Sequence, residues 1–301
     1  MRETPTQYSR YFSELTGAEV FFKLENLQYT GSFKLRGVAN CLRSLSESDL
    51  QKGVISASSG NHGAALSFAL SGLGANGSVY VPENASSIKI DAIRLHGAEV
   101  ILYGNDAGLA ELQARKMAQE QGVTYVSPYN DETVVAGQGT IGFELARQIK
   151  NIDAVFIAVG GGGLISGVGG YLKQLNPEIE IIGCLPENSP VMAKCAAAGE
   201  IVEWPTLPTL SDGTAGGIEP GAITFDYCQQ YVDDYVLVSE EEIRIAMCRF
   251  IDTEHMLLEG AAGVAIAALT RMAKDYAGKR VAVVICGANI SRETLMTVIH
   301  N

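Results

Sequence analysis

Hydrophobic positions along the chain recur with two alternating periods. Glu19–Leu24 is strand-like, and residues 26–32 carry Gly, Thr and Ser and predict a loop. Leu35, Val38, Leu42 and Leu45 then share one helical face across Phe33–Leu45. From Gly53 short apolar runs alternate with helical stretches. Strands are predicted at Val54–Ser56, Ser78–Val81, Glu99–Leu102 and Val123–Val126. Ser58–Gly63 reads as a turn, and helices follow at Ala64–Ser71, at a segment capped by Ser86 or Ser87, and at Ala107–Gln121. Strands joined by helices predict a small parallel sheet.

A second run of the same kind occupies the rest of the chain. Thr133–Ile149 predicts a long helix despite Gly137, Gly139 and Gly142. Each interior glycine costs a helix about 1 kcal/mol, so a close backbone or ligand is the reason to keep them. Ala154–Val159, Glu180–Cys184, Tyr235–Val238 and Val281–Ile285 predict strands. Ile165–Leu175, Val191–Ala198, a Ser239-capped segment opening with Glu240–Glu242, Gly260–Ala273 and the last residues predict helices. Thr206–Gly221 predicts a long irregular loop. The fold class is α/β, with two mostly parallel sheets flanked by helices.

Ligands of such sheets sit beyond the carboxyl ends of strands. Three segments there carry candidate chemistry. Gly160–Gly163 and Leu164 lie between a strand and a helix, where glycines let backbone N–H groups approach an anion and the helix N-terminus adds partial positive charge. The glycines are contiguous, so this is neither a Rossmann nor a Walker pattern; it suits a phosphate, or else a tight turn. Lys34 stands at a loop–helix junction after Phe33. It reads either as a surface lysine or as a desolvated amine that attacks aldehydes. Ser58-Ser59-Gly60-Asn61-His62-Gly63 is a second anion site, suited to a carboxylate. The Asn61 amide both donates and accepts and can meet an aromatic hydroxyl, while His62 alone reads equally as a structural imidazole.

Composition narrows the partners. The 301 residues are 47% hydrophobic and 19% charged, with a formal charge of −12. A basic face is what nucleic acid and anionic membranes require, so neither is an expected partner. Six scattered cysteines show no zinc spacing, and buried free thiols in a reducing cytoplasm are expected. The start lacks the apolar core of a signal peptide, and no apolar run is long enough to span a bilayer.

Read together and in order, these landmarks resemble the fold-type II pyridoxal-phosphate enzymes, specifically the threonine/serine dehydratase family with its serine racemase-like relatives. The resemblance rests on Thr4-Pro5, Lys23-Leu24-Glu25, Ser32-Phe33-Lys34-Leu35-Arg36-Gly37, Ser58–Gly63, Ala136-Gly137-Gln138-Gly139-Thr140, the glycine run and Cys286-Gly287-Ala288-Asn289. It implies a large cofactor-binding domain of residues 1–45 and 130–301, with residues 46–129 inserted as a small substrate-loop domain. It implies pyridoxal 5′-phosphate held by Lys34 as a Schiff base, with Phe33 beside the ring and Asn61 on the ring hydroxyl. Gly160, Gly161, Gly162, Gly163 and Leu164 would bind the phosphate, and Cys286 would face the pyridine nitrogen. Glu259 would lie near the ring or serve only as a helix-cap acid. Ser58, Ser59, Gly60, Asn61 and His62 would hold the substrate carboxylate. Lys34 would be the base, and Ser59 matches the second acid/base of racemising relatives.

The implied activity is conversion of L-threonine, L-serine or a related β-hydroxy amino acid to a 2-oxo acid and ammonia. The alternatives are a serine or hydroxyaspartate racemase on the same scaffold and, more remotely, a non-catalytic cofactor-binding protein. Racemase relatives bind a divalent cation with acids just after the strand ending near Cys184. Leu185 and Val191 stand at those positions here, so no metal is expected. Leu210–Gly221 departs from commoner patterns and is placed to shape the pocket for the β-substituent, which points to an unusual β-hydroxy amino acid rather than threonine. The resemblance further implies a homodimer, and no regulatory domain is expected beyond Asn301.

Overall fold

The computed structural model describes residues 1–300, among which ten strands form two sheets. In chain order the elements open with β1 (Thr6–Tyr8), α1 (Arg10–Thr16) and β2 (Glu19–Leu24). There follow α2 (Lys34–Ser44), α3 (Glu47–Lys52), β3 (Val54–Ala57), α4 (Asn61–Leu73), β4 (Gly77–Val81), α5 (Ser87–Arg94), β5 (Glu99–Leu102), α6 (Ala107–Gln121) and β6 (Thr124–Tyr125). The remainder is α7 (Glu132–Gln148), β7 (Ala154–Ala158), α8 (Gly163–Leu175), β8 (Glu180–Pro186), α9 (Val191–Ala198), α10 (Ile223–Tyr231), β9 (Asp234–Val238), α11 (Glu240–Glu254), α12 (Gly260–Arg271), α13 (Ala273–Tyr276), β10 (Arg280–Ile285) and α14 (Arg292–His300).

The chain divides into two compact units, Lys34–Gly137 with Met1, and Arg2–Phe33 with the residues from Gln138 onward. The first holds a parallel sheet of order β5-β4-β3-β6. The pleat turns successive side chains to opposite faces. Val54, Val79 and Val81 therefore join Leu35, Val38 and Leu42 of α2 and Leu66 and Leu70 of α4 on one side. Ile55 and Tyr80 meet Ala110, Ala114 and Ala118 of α6 on the other. This packing groups α2 with the smaller sheet, whereas the sequence reading began the inserted domain at residue 46.

The second unit holds a sheet of order β1-β2-β10-β7-β8-β9, parallel except for the edge strand β1. β7 is buried at every position, as a strand covered on both faces must be. α12 packs across β7 and β10 and is buried at every position from Gly260 to Leu269. A Cβ on Gly263 would stand 2.6 Å from Met247 Cγ of α11, so only a bare Cα lets these helices approach.

The glycines of α7 serve the same purpose. A Cβ at Gly137 would lie 2.6 Å from the Arg36 carbonyl oxygen, and one at Gly139 would lie 3.1 Å from that of Gly167 on α8. Neighbouring backbone accounts for them.

Most predicted elements stand within a residue or two of their expected bounds. The helix expected from Ala64 starts at Asn61, which draws Asn61, His62 and Gly63 into its first turn. Ser86 occupies the N-cap position of α5, but its side chain makes no capping hydrogen bond. β1, α1, α3 and α10 lie in segments too short or too polar to show a period. All six cysteines are free thiols.

Candidate active site

The first unit presents one group of candidate residues where the chain leaves β3 and β6. Ser58 and Ser59 form the turn after β3, and the Ser58 hydroxyl accepts from the Gly60 N–H at 3.2 Å. A Cβ on Gly63 would lie 2.3 Å from the Ser58 carbonyl oxygen, so the turn closes this tightly only over glycine. Gly60 is the N-cap of α4 and no side chain caps the helix. Its first-turn N–H groups, at Asn61, His62 and Gly63, form a helix N-terminus of the kind that suits an anion.

His62 and Lys34 are held by the loop after β6. The His62 Nε2–H donates to the Val126 carbonyl at 3.1 Å, and Nδ1 has no hydrogen-bond partner among the described residues. The imidazole is 2% exposed. Desolvation, and secondarily the charge of Lys34, lower its pKa from 6.5 to about 3. It is therefore neutral and oriented at physiological pH. The half-buried Lys34 donates from Nζ to the Pro128 carbonyl at 2.8 Å. This gathers Lys34, the Ser58–Asn61 turn and His62 at the carboxyl ends of two neighbouring strands.

The second unit presents the other group. Gly160–Gly163 leave β7 and Cys286 leaves β10, its parallel neighbour, so both emerge at one end of the sheet. Gly162 has φ 84°, in the region that favours glycine, and is the N-cap of α8, which no side chain caps. A Cβ on Gly162 would lie 2.9 Å from Met192 Cε and 3.0 Å from Cys228 Sγ, and one on Gly160 would lie 3.0 Å from Thr214 Cα. Solid packing thus backs the turn, while the N–H groups opening α8 are left without a side-chain acceptor. A phosphate supplies what this arrangement lacks.

Beyond β10, the Cys286 carbonyl accepts from the Phe33 N–H at 3.0 Å, and the Gly31 carbonyl accepts from the Ala288 N–H at 2.9 Å. These bonds stitch the loop before Lys34 to the sheet and position Phe33. Cys286 is buried, and its thiol lies 3.8 Å from Glu259 Oε1, to which it donates. Glu259 is also buried and accepts from the Asn289 N–H at 3.3 Å. A Cβ on Gly287 would stand 2.6 Å from the Glu259 carboxyl carbon. Glu259 is the N-cap residue of α12, yet its side chain makes no cap hydrogen bond and turns to the end of β10.

The loop 206–221 includes one 3₁₀ turn, Asp212–Thr214. Its Thr214 backbone lies against Gly160, and the Gly213 Cβ position is 3.7 Å from Glu259 Oε1. Leu185 and Val191 are buried apolar residues, and among the described residues no group of three or more His, Cys, Asp or Glu is placed to hold a metal.

Sequence reasoning missed three participants. Val126 and Pro128 act through carbonyls, which carry no residue-type signal. Thr224 lies on α10, an element hidden behind the Gly- and Pro-rich loop; its hydroxyl donates to the Gly161 carbonyl at 2.6 Å.

Comparison with known proteins agrees with this geometry. A family model described as pyridoxal-phosphate dependent enzyme matches residues 1–287. The chain is 40% identical over 300 residues to the L-threonine ammonia-lyase of Thermotoga maritima, covering 100% of this chain and 74% of that protein. Among solved structures it resembles the processed form of threonine deaminase isoform 2 from Solanum lycopersicum, with TM-score 0.95, 36% identity, and coverage of 99% of this chain and 88% of that one. It also resembles maize serine racemase, with TM-score 0.93, 29% identity, and coverage of 99% and 92%. The uncapped glycine turn, the tethered lysine and these matches place the chain in the fold-type II pyridoxal-phosphate enzymes, within the threonine/serine dehydratase family.

Proposed function

We propose that the protein is an ammonia-lyase that converts L-threonine, and more slowly L-serine, to the 2-oxo acid and ammonia. The observation that carries this reading is the Gly160–Gly163 turn, whose N–H groups open α8 without a side-chain cap and fit the cofactor phosphate. The relatives' names support threonine. Its extra methyl is worth roughly 1–3 kcal/mol of discrimination in a fitted apolar pocket.

In this reading Lys34 would hold the cofactor through its aldehyde, and the cofactor when bound would supply an electron sink for the substrate Cα. Phe33 would pack beside the ring, Asn61 would meet its hydroxyl, and Gly160–Gly163 with the Leu164 N–H would hold the phosphate. Cys286 would face the pyridine nitrogen, and Glu259 accepts from its thiol. The open N-terminus of α4, with Ser58–His62, holds the substrate carboxylate. Lys34 Nζ would be the base that takes the substrate Cα proton. The β-hydroxyl would leave as water with the proton that the Lys34 ammonium returns to it, and the released enamine would tautomerise and be hydrolysed by water to the 2-oxo acid and ammonia. Ser59 would be the second acid/base that a racemase requires. A homodimer in the cytoplasm completes the proposal.

A 2-oxo acid assay over a panel of β-hydroxy amino acids, run beside chiral analysis of the remaining substrate, tests it. Threonine is expected to give 2-oxo acid without inversion of the remainder. Inversion with little 2-oxo acid would replace the lyase by a racemase. Lys34→Ala is expected to lose the visible absorption of the bound cofactor and at least 10²–10⁴-fold of the rate, the share typical of a positioned base. Full turnover in that variant would overturn the assignment.

A further inference from the structure

The turn proposed to hold phosphate is built from glycines, whose peptide planes rotate easily. Something must fix which way each plane faces, because a carbonyl turned toward the phosphate would repel it. The molecule supplies such a lock from outside the turn. Thr224, near the start of α10 and fully buried, donates from Oγ1 to the Gly161 carbonyl at 2.6 Å.

The Gly161–Gly162 peptide is trans, so its carbonyl and the Gly162 N–H lie on opposite edges of one plane. Anchoring the carbonyl on α10 therefore turns the Gly162 N–H away from α10. Thr224 is itself held in place. Its carbonyl accepts from Ser166 Oγ at 3.5 Å, and Ser166 Oγ lies 3.7 Å from Cys228 Sγ, one turn further along α10. The Cys228 thiol is pushed up to about 11 by burial, so it stays neutral at this contact. The Thr224 Cβ lies 3.1 Å from where a Gly162 Cβ would stand, which leaves the plane little room to rock.

We propose that Thr224 is a positioning residue that presets the Gly162 N–H for the cofactor phosphate. It would act through the Gly161 carbonyl. The inference rests on the phosphate role given above to Gly160–Gly163 and adds a residue that the sequence did not mark.

The test compares two ligands of the full-length apoprotein, pyridoxal 5′-phosphate and pyridoxal, which lacks the phosphate. Thr224→Val keeps the shape and removes the donor. A hydrogen bond to a charged group contributes about 1.5–3 kcal/mol, so affinity for pyridoxal 5′-phosphate is expected to fall at least tenfold, while affinity for pyridoxal is unchanged. Thr224→Ser restores the donor and is expected to recover the phosphate preference, which Thr224→Ala does not. The Ser/Ala pair decides the matter if the valine variant fails to fold. Unchanged affinities, or equal losses for both ligands, overturn the proposal. A wild-type protein that shows no preference for the phosphorylated ligand instead overturns the phosphate role of the glycine turn itself.

Discussion

His62 sits beside the expected substrate carboxylate site, but its burial and its bond to the Val126 carbonyl make it a fixed neutral donor. A folded-state pKa near 3 against 6.5 when unfolded has a sign that can be checked. Below pH 6.5 the unfolded chain takes up a proton that the folded chain refuses, so stability falls as pH drops toward 3. One such proton is worth about 1.4 kcal/mol per pH unit within that window. His62→Gln, which keeps a donor for Val126 without the titration, is expected to flatten this part of the pH profile in urea unfolding. A slope between pH 6 and 4 equal to that of the wild type would show that His62 is not the group responsible. At the same scale, the Cys286–Glu259 contact gives the buried thiol a defined proton acceptor, a pairing that spacing in the chain does not reveal because the residues lie on different elements.

Helices in both units begin in one of two ways. α11 starts with a full capping box, in which Ser239 accepts from the Glu242 N–H and the Glu242 carboxylate accepts from the Ser239 N–H. Glu240, Glu241 and Glu242 complement its dipole. α4 and α8 start on Gly60 and Gly162 with no side-chain cap. The capped start belongs to a structural element; α5, α9, α10 and α12 also begin without a side-chain cap, so what sets α4 and α8 apart as candidate anion sites is the glycine at the N-cap. Ser239→Ala is accordingly expected to cost about 1 kcal/mol of stability with kcat/KM unchanged, measured by thermal unfolding beside the activity assay. A change in kcat/KM greater than the loss of folded protein would contradict the purely structural role given to this cap.

At the scale of the whole molecule, the second unit is fastened through its interior by charge. Lys23 of β2 is fully buried and donates to Glu144 of α7 at 2.5 Å, to the Thr4 carbonyl at 2.7 Å and to Gln148 Oε1 at 2.9 Å. Thr4 in turn donates to the buried Glu25. The segment before β1, the second strand and α7 are thereby joined at one ammonium. Removing one partner strands a buried charge and costs about 3–5 kcal/mol, whereas replacing both with apolar side chains is often near neutral. Lys23→Met is expected to lower stability by that amount, and Lys23→Met with Glu144→Leu to recover much of it, read by denaturant midpoints. A double variant as unstable as the single one would show that the network fastens the fold through its hydrogen bonds and not through charge balance.

Much of this protein could be read along the chain because the deciding forces were local. Strict apolar runs marked β7 and β10, which are covered on both faces, and helical spacing marked α2 and α6. A serine ahead of three glutamates marked α11, and four glycines after a buried strand marked the turn that opens α8. Tertiary structure decided the rest. Only packing explains why α7 tolerates its glycines, since the reason is the backbone of Gly37 and Gly167 lying against them. Only the fold brings Thr224 to the Gly161 carbonyl, Glu259 to the Cys286 thiol, and the Val126 and Pro128 carbonyls to His62 and Lys34. These partners meet through backbone groups or across many residues, and a one-dimensional pattern records neither the direction of a carbonyl nor the return of a distant helix.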